Sequence, residues 1–265
     1  MTSSLLQPRG RVRDAAGGPA DCPGSTAPTP VLDWRHPRVA ALLDGLDAGG
    51  PAEVPDTVRR LTVLRLAHGR ITAAVRPVYS VQEDRPVSQV LRRGRGSCSQ
   101  RLAVLEAVAR ASGVATRVRG LLVDGRFWYP RFPGMHRIVP DRVVLAWPEF
   151  RIREAGPGAA ERWLPVSELF GSIGELSAAA GGGFSNDGPE TLFEALSRTA
   201  VDWDGATACP ATGTAVGCDL SAHVLRDLGR FDSREELFAR YGQTLCRPVR
   251  LLAEPVLGRR RATAA

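Results

Sequence analysis

The stretch Arg93-Gly94-Arg95-Gly96-Ser97-Cys98-Ser99-Gln100 is a glycine-rich turn that opens an apolar helix. The helix carries Leu102, Leu105, Val108 and Ala109 at the three- and four-residue spacing of one buried face. It ends at Ser112-Gly113, where glycine can take the left-handed conformation that closes many helices. We therefore predict a core helix with a cysteine in its first turn.

The segments after this helix have the pattern of strands. The candidates are Ala115 to Val123, closed by an Asp124-Gly125 turn, Arg126 to Phe132, Arg142 to Ile152 and Arg162 to Val166. A helix followed by antiparallel strands predicts an α+β fold.

We divide the chain into three segments. Residues 1–30, rich in Pro, Gly, Ser and Thr, are predicted to be a flexible leader; residues 31–170 form the core; residues 171–265 form an extension packed on that core.

Before the cysteine helix, helices are predicted at Pro37–Leu46 and from about Asp56, with an extended segment at Val75–Gln82. In the extension, helices are predicted near Glu190–Arg198, Leu220–Leu228 and Ser233–Tyr241, the last with a Ser233 capping box.

Composition excludes several classes of protein. The 265 residues carry a net charge of +7, and all 35 residues counted as Lys+Arg are arginine, which excludes lysine Schiff-base chemistry and a P-loop lysine. The arginines are scattered, so we do not expect nucleic-acid binding. No run reaches the ~18 apolar residues of a membrane helix, and the N-terminus lacks an apolar signal region, so we expect a cytoplasmic protein without membrane contact.

The cysteines and acidic pairs do not predict a metal site or a cofactor. The five cysteines (Cys22, Cys98, Cys209, Cys218 and Cys246) form neither a CxxC pair nor a Cys/His set, and we expect free thiols. Asp202 and Asp204 flank Trp203 without an EF-hand frame, so we interpret them as solvated loop carboxylates.

Cys98 is the candidate nucleophile. The helix dipole at the first turn favours a thiolate and predicts a lowered pKa, and the same backbone N–H groups can form an oxyanion hole. Gly94 and Gly96 would let a substrate backbone approach closely. The competing interpretation is a small apolar cysteine buried at a helix start.

The residues Gly94 to Ala103 and Ala109 to Val118 resemble the transglutaminase-like superfamily, with Ala115-Thr116 where Pro-Ala is usual in that family. The resemblance extends through Trp147-Pro148-Glu149-Phe150 and Trp163-Leu164-Pro165-Val166, over about residues 56–170. It implies a papain-like α+β fold in which a cysteine helix packs against a sheet that carries histidine and aspartate. It does not imply the calcium dependence of the large transglutaminases.

The two partner positions of that family are substituted here. The resemblance aligns Leu145 with the catalytic histidine and Ser167 with the aspartate, and neither can do the work of the residue it replaces. His136, in the loop before the strand, is the replacement candidate for the base, with Asp141 or Glu149 orienting it. The competing interpretation of His136 is an exposed loop histidine, which is favoured because a loop positions a ring less accurately than a strand.

The candidate substrate-binding residues are Gly96, Trp147 and Glu149, although a tryptophan on a strand is more often a core residue. Two functions stay open. The first is a cysteine-dependent acyl transferase or amide hydrolase that acts through an acyl-enzyme on a peptide or small amide. The second is a transglutaminase-like pseudoenzyme that binds a peptide or protein segment; the oligomeric state is left open.

Overall fold

The computed structural model describes residues 22–46, 55–153, 160–179, 183–184, 186–188, 190–206, 219–243 and 254–255. Within these ranges the helices are α1 (Pro37–Leu43), α2 (Asp56–Ala74), α3 (Val87–Arg93), α4 (Cys98–Ala111), α5 (Ile173–Ala179), α6 (Leu192–Ala195) and α7 (Arg234–Tyr241). The strands are β1 (Arg76–Pro77), β2 (Arg95–Gly96), β3 (Thr116–Asp124), β4 (Arg142–Arg153), β5 (Glu161–Pro165) and β6 (Val224–Phe231). The α+β prediction is confirmed.

An antiparallel sheet with the order β5-β4-β3-β6 is the main scaffold. The pairing of β3 with β4 is regular from Thr116 opposite Phe150 to Asp124 opposite Arg142. The larger core cluster joins α4 to one side of this sheet, whereas α7 packs on the sheet with a second cluster that includes Leu237 and Phe238. The sheet therefore has apolar packing on both sides.

The cysteine helix α4 is more deeply buried than one apolar face would require. Every residue from Gln100 to Arg110 is buried, because β4, α2, α3 and α6 all pack around the helix. Three charged residues, Arg101, Glu106 and Arg110, are therefore taken out of water, and such groups need partners inside the protein.

The predicted strand at Arg126–Phe132 is wrong, since Gly125–Arg131 forms a 3₁₀ helix. The Asp124 carboxylate accepts a hydrogen bond from the Arg126 backbone N–H at 2.9 Å and caps this helix. The backbone also passes very close to the following loop: a Cβ at Gly125 would lie 1.8 Å from the Pro140 carbonyl oxygen. This tertiary contact, which local propensity does not report, fixes the turn.

The predicted helix at Leu220–Leu228 is also wrong, because Val224–Phe231 is strand β6, which pairs with β3. The predicted extended segment at Val75–Gln82 is reduced to β1, which pairs with β2 in parallel. The predicted helix at Glu190–Arg198 shortens to α6. The Ser233 cap is confirmed, since the Ser233 hydroxyl accepts from the Glu236 backbone N–H at 3.1 Å.

Residues 22–30 were assigned to the flexible leader, and the structure contradicts this assignment. The backbone of Ser25 exchanges two 3.0 Å hydrogen bonds with Thr116 at the start of β3. The Cys22 thiol and the Gly24 N–H both donate to the Asp232 carboxylate, at 3.0 and 2.7 Å. This segment is therefore tied to the sheet; residues 1–21 lie outside the described residues, and the other segment boundaries stay predictions.

Candidate functional site

The turn that leads into α4 is fixed by reciprocal capping. The Ser97 hydroxyl accepts from the Gln100 backbone N–H at 3.2 Å, and the Gln100 side chain accepts from the Ser97 N–H at 3.1 Å. The Gln100 amide also donates to the Gln82 carbonyl at 2.8 Å, which ties the turn to the preceding loop. Cys98 is thus held as the first residue of the helix.

Gly96 lies where two helices pack closely, and its role in substrate binding stays a prediction. A Cβ at Gly96 would lie 2.9 Å from the Val90 side chain and 3.3 Å from the Gln100 side chain, so glycine lets α3 and α4 come together. Gly94 ends α3 with a φ of 56°, a left-handed conformation that favours glycine. Both glycines of the motif therefore have a structural role.

Cys98 keeps some surface exposure while packing against the larger core cluster. Enough protein surrounds the sulfur that burial raises the pKa of the Cys98 thiol to about 12. The guanidinium groups of Arg101 and Arg234 act in the opposite direction, and the carboxylates of Glu194 and Glu83 add to the increase. The prediction of a lowered pKa is therefore wrong, because desolvation outweighs the helix dipole.

Two buried arginines lie beside the first turn of α4. Arg101 pairs with Glu194 of α6, and its guanidinium carbon lies 4.3 Å from the centroid of the Phe193 ring. Arg234 of α7 pairs with Glu106 at 2.5 Å and donates to the Ser99 hydroxyl at 2.9 Å. The cysteine turn thus lies beside two buried arginines, each of which forms an ion pair with a glutamate.

The two positions that the resemblance assigns to catalytic partners are parts of the core. Leu145 lies on β4, is 6% exposed and belongs to the apolar cluster on which Cys98 packs. Ser167 lies in a 3₁₀ turn after β5 and is 4% exposed. Both side chains are buried. The leucine contributes apolar packing, and the serine supplies no charge.

His136 stacks on a neighbouring aromatic ring, and no hydrogen bond joins it to Cys98 in the described part of the chain. The residue is exposed, and its ring stacks on Tyr129 with the centroids 4.3 Å apart and the planes 4° from parallel. Asp141, proposed to orient it, is also exposed. These positions agree with the competing interpretation of His136 as a loop residue; its role as a base stays a prediction.

Trp147 and Glu149 are also occupied within the fold. The Trp147 indole is 2% exposed and packs edge-on against Trp203, with the centroids 5.7 Å apart. The Glu149 carboxylate is bonded by Arg117 at 2.5 Å and by Arg230 at 3.2 Å. In this conformation neither residue offers a free surface or a free charge to a ligand.

The other three histidines have structural contacts. His36 caps α1 by accepting from the Arg38 N–H at 3.1 Å, and His223 lies edge-on to Phe127. The buried His68 ring stacks on Phe193, and its Nε2 lies 2.6 Å from the Phe193 carbonyl oxygen. Because a carbonyl only accepts, His68 Nε2 carries a proton and donates. None of the chain's four histidines, which all lie in the described ranges, hydrogen-bonds to Cys98.

A cleft of about 240 Å³ opens near the cysteine turn. Its lining combines apolar and acidic side chains and includes Val31, Glu83, Asp84, Glu235, Phe238 and Gln243. Glu83 connects the cleft to the cysteine turn, because its carboxylate accepts a hydrogen bond from the Ser99 hydroxyl at 2.5 Å. The cleft is therefore connected, through the Glu83 carboxylate, to the residue that follows Cys98 in the chain.

The described residues form neither a metal cluster nor a membrane-spanning helix. Among them no group of three or more His, Cys, Asp or Glu side chains is placed to hold a metal ion. The Asp204 carboxylate is paired with Arg119 at 2.6 Å, and the buried Asp202 accepts from the Asp204 N–H. In the part of the chain with assigned structure, no helix has both the length and the apolar character needed to cross a bilayer.

Sequence reasoning missed Arg101, Arg234 and Glu194, and it set His68 aside. The one local signal was the position of Arg101, a charged residue one turn after Cys98 on a helix otherwise apolar on that side. Its burial depends on α6, whose Thr191 cap lies 90 residues later in the chain.

The fold, the cysteine helix and the adjoining strands define a transglutaminase-like arrangement. The family model of the transglutaminase-like superfamily matches residues 41–167. This segment is therefore a transglutaminase-like core, and it contains Cys98, Leu145 and Ser167. Comparisons with curated proteins and with solved structures gave no match.

Proposed function

We propose that this chain uses its transglutaminase-like core to bind a peptide or protein segment and does not carry out Cys–His–Asp acyl transfer. The observation that carries this proposal is the burial of Leu145 in the core at the position aligned with the family's histidine. A leucine cannot accept the thiol proton or return a proton to a leaving amine, which are the two tasks of the base.

The state of the thiol supports the same conclusion. A cysteine nucleophile reacts as the thiolate, and burial that raises the pKa of Cys98 to about 12 leaves almost none of it deprotonated near pH 7. Arg101 and Arg234 lower this pKa, but they do not overcome desolvation. No described histidine is bonded to the sulfur to remove the proton in its place.

Binding is supported by features that a plain core helix would not need. The first turn of α4 remains partly exposed at Cys98 and Ser99. Next to it lies the cleft, whose lining includes the apolar Val31 and Phe238 and the acidic Glu83. A peptide segment lying across the turn would meet both apolar surface and hydrogen-bonding groups.

The second candidate is a cysteine-dependent acyl transferase or amide hydrolase, and the retention of Cys98 at the first turn of a 14-residue helix favours it. In that reaction the thiolate would add to an amide carbonyl, the amine would leave with a proton, and the thioester would be resolved by water or a second amine. This route requires a general acid and base that the substrate or a rearranged loop would have to supply.

One pair of variants separates the two functions. We expect Cys98→Ala to retain binding of peptides selected on the immobilised wild-type chain within about twofold, because binding does not require the sulfur. Cys22→Ala is the matched control, since Cys22 is the other free thiol of the described residues and donates to Asp232. Turnover of a bound peptide by the wild type, abolished in Cys98→Ala and kept in Cys22→Ala, would reject the proposal and establish the enzyme.

A further inference from the structure

The guanidinium of Arg101 has an unusual arrangement of partners. The residue is 0% exposed and lies one turn after Cys98 on α4. Its Nη1 pairs with Glu194 and lies 3.4 Å from the Thr191 hydroxyl. Within the described part of the chain, its Nε and Nη2 atoms are buried without a hydrogen-bond partner.

These two atoms form one edge of the guanidinium. The N–H bonds of Nε and of Nη2 point in the same direction and are spaced to match two oxygens of one carboxylate. Buried donors without partners destabilise the folded state, and folded proteins retain few of them. We call this pair of donors without partners the open edge, although it is buried. Two such donors on one edge of the guanidinium are a feature that points to a ligand.

The first turn of α4 adds further donors. Ser97 uses its hydroxyl and carbonyl oxygens for the N–H groups of Gln100 and Arg101. Among the described residues, the N–H groups of Cys98 and Ser99 have no backbone carbonyl as partner, as expected at the start of a helix. These backbone groups and the nearby positive helix end favour an acceptor with negative charge.

The arginine is held by the C-terminal part of the chain. Phe193 lies under the guanidinium plane and Glu194 binds its far corner, so α6 fixes the side chain in position. Arg101 follows Cys98 by three residues on α4, so the two side chains are neighbours on one face of the helix. The open edge and the partly exposed turn thus belong to one neighbourhood.

The surrounding charges limit the kind of anion. The three carboxylates of Glu83, Glu106 and Glu194 outnumber the two guanidinium groups of Arg101 and Arg234, so these side chains leave no excess of positive charge. A doubly charged phosphate would be repelled by these three groups. A carboxylate, with one charge and two coplanar oxygens, fits the open edge better.

We propose that the Nε/Nη2 edge of Arg101, together with the first turn of α4, binds a carboxylate of the ligand segment. This inference rests on the proposed binding function and names the group that the site recognises. The carboxylate can belong to a peptide C-terminus or to an aspartate or glutamate side chain, and both have the same chemistry at this edge.

Three small peptides test the proposal on the whole chain. The probes are acetyl-trialanine with a free C-terminus, the same peptide with a C-terminal amide, and acetyl-Ala-Asp-Ala amide. The readout is the rate of Cys98 alkylation by iodoacetamide at alkaline pH, resolved by peptide mass spectrometry. We expect at least one of the two carboxylate peptides to slow alkylation saturably by about fivefold or more, and the neutral amide to have no effect. The peptide that slows alkylation of Cys98 shows whether the bound carboxylate is a C-terminus or a side chain.

Variants of the arginine provide the second arm. Arg101→Lys keeps the charge but loses the two-donor edge, and it should weaken protection at least about tenfold. Arg92→Lys, on an exposed part of α3, is the matched control and should protect like the wild type. Should Arg101→Lys fail to fold, Glu194→Gln serves instead: it removes the carboxylate that holds Arg101 Nη1 in position, and protection by the acid should weaken severalfold.

Equal protection by acid and amide, or unchanged protection in Arg101→Lys, would overturn the inference. That result would leave the proposed binding function in place, because the proposed function is tested separately by turnover and by Cys98→Ala. Conversely, turnover of the peptides with the acid preference intact would reject the proposed function and leave the carboxylate edge standing.

Discussion

Leu145 on β4 lies opposite Leu121 on β3 in the antiparallel register, and both side chains belong to the core on which Cys98 packs. Facing apolar residues on adjacent strands stabilise a sheet by packing against one another. The strand that carries the base in the resembled family thus contributes hydrophobic packing here. This relationship leads to the first prediction.

Placing a histidine at this position should activate the thiol. In the double variant Leu145→His/Ser167→Asp, an imidazolium near Cys98 would favour the thiolate, and we expect the pKa of Cys98 to fall by about one to three units. Alkylation by iodoacetamide near neutral pH should accelerate about tenfold or more. Rates are measured at Cys98 by peptide mass spectrometry.

The control for that variant is Val144→His, which places a ring on the adjacent residue of β4, in the core cluster on the other side of the sheet. Its Cys98 rate should match the wild type. Equal acceleration in both variants would show that loosening of the fold, and not a neighbouring base, exposes the sulfur.

The buried pair of Arg234 and Glu106 is expected to be essential for folding. Arg234→Met would leave the Glu106 carboxylate, which is 0% exposed, without its partner, at a cost of about 3–5 kcal/mol in the free energy of unfolding. The double variant Glu106→Gln/Arg234→Met should recover part of this loss. Urea titrations give the values.

Arg60→Met provides the comparison for that pair. Arg60 bonds the exposed Asp56 one turn away on α2, and loss of such a surface pair should cost less than about 1 kcal/mol. Similar losses for Arg60→Met and Arg234→Met would contradict the assignment of Arg234 to a buried network.

The free energy of unfolding should fall in mild acid because the buried His68 becomes protonated on unfolding. Burial lowers the pKa of His68 below 6.5, and the charge of Arg101 adds to this shift. The unfolded chain therefore binds the proton more readily, so the contribution of neutral His68 is complete above about pH 6.5 and is lost as the pH falls toward the folded-state pKa.

The slope of the unfolding free energy against pH tests this expectation. Below about pH 6.5 the His68 contribution should approach about 1.4 kcal/mol per pH unit, and His68→Gln should remove it. His136→Gln changes an exposed histidine and should leave the slope unaltered. A wild-type slope that survives in His68→Gln would assign the pH dependence to other groups.

Two glycines should respond in opposite directions to alanine. A Cβ at Gly125 would clash with the Pro140 carbonyl oxygen, so Gly125→Ala should lower the free energy of unfolding by about 1–3 kcal/mol or more. At Gly69, on the exposed side of α2, a Cβ meets no atom within 4 Å. Gly69→Ala should raise stability by about 0.5–1 kcal/mol. Chemical denaturation checks both, and a neutral Gly125→Ala would contradict the described loop.

The cysteine helix and strands β3, β4 and β5 could be predicted because their signals are local. Ser97 and Gln100 form a capping box within four residues, and the apolar positions of α4 repeat with helical spacing. Strand β6 was mistaken for a helix because its conformation follows from pairing with β3, with register shifts near Gly120 and Leu122. Such long-range pairing leaves little trace in a short window of sequence.

The candidate site was only partly predictable for a similar reason. The position of Cys98 followed from its motif, whereas its pKa depends on how many atoms surround the sulfur in the folded chain. An arginine on a helix is usually exposed, and the burial of Arg101 requires Phe193 and Glu194 from a distant segment. The sequence could indicate that Leu145 and Ser167 stand at the partner positions, but not that both side chains are buried in the fold.

The most direct measurement is the pH dependence of Cys98 alkylation in the wild-type chain, followed from about pH 6 to about pH 10. If the thiol is desolvated and has no base, the rate at Cys98 should keep rising through about pH 10 without reaching a plateau. A plateau with an apparent pKa near or below about 7.5 would reveal an activated thiolate and contradict the account of a transglutaminase-like core that has stopped using its cysteine as a nucleophile.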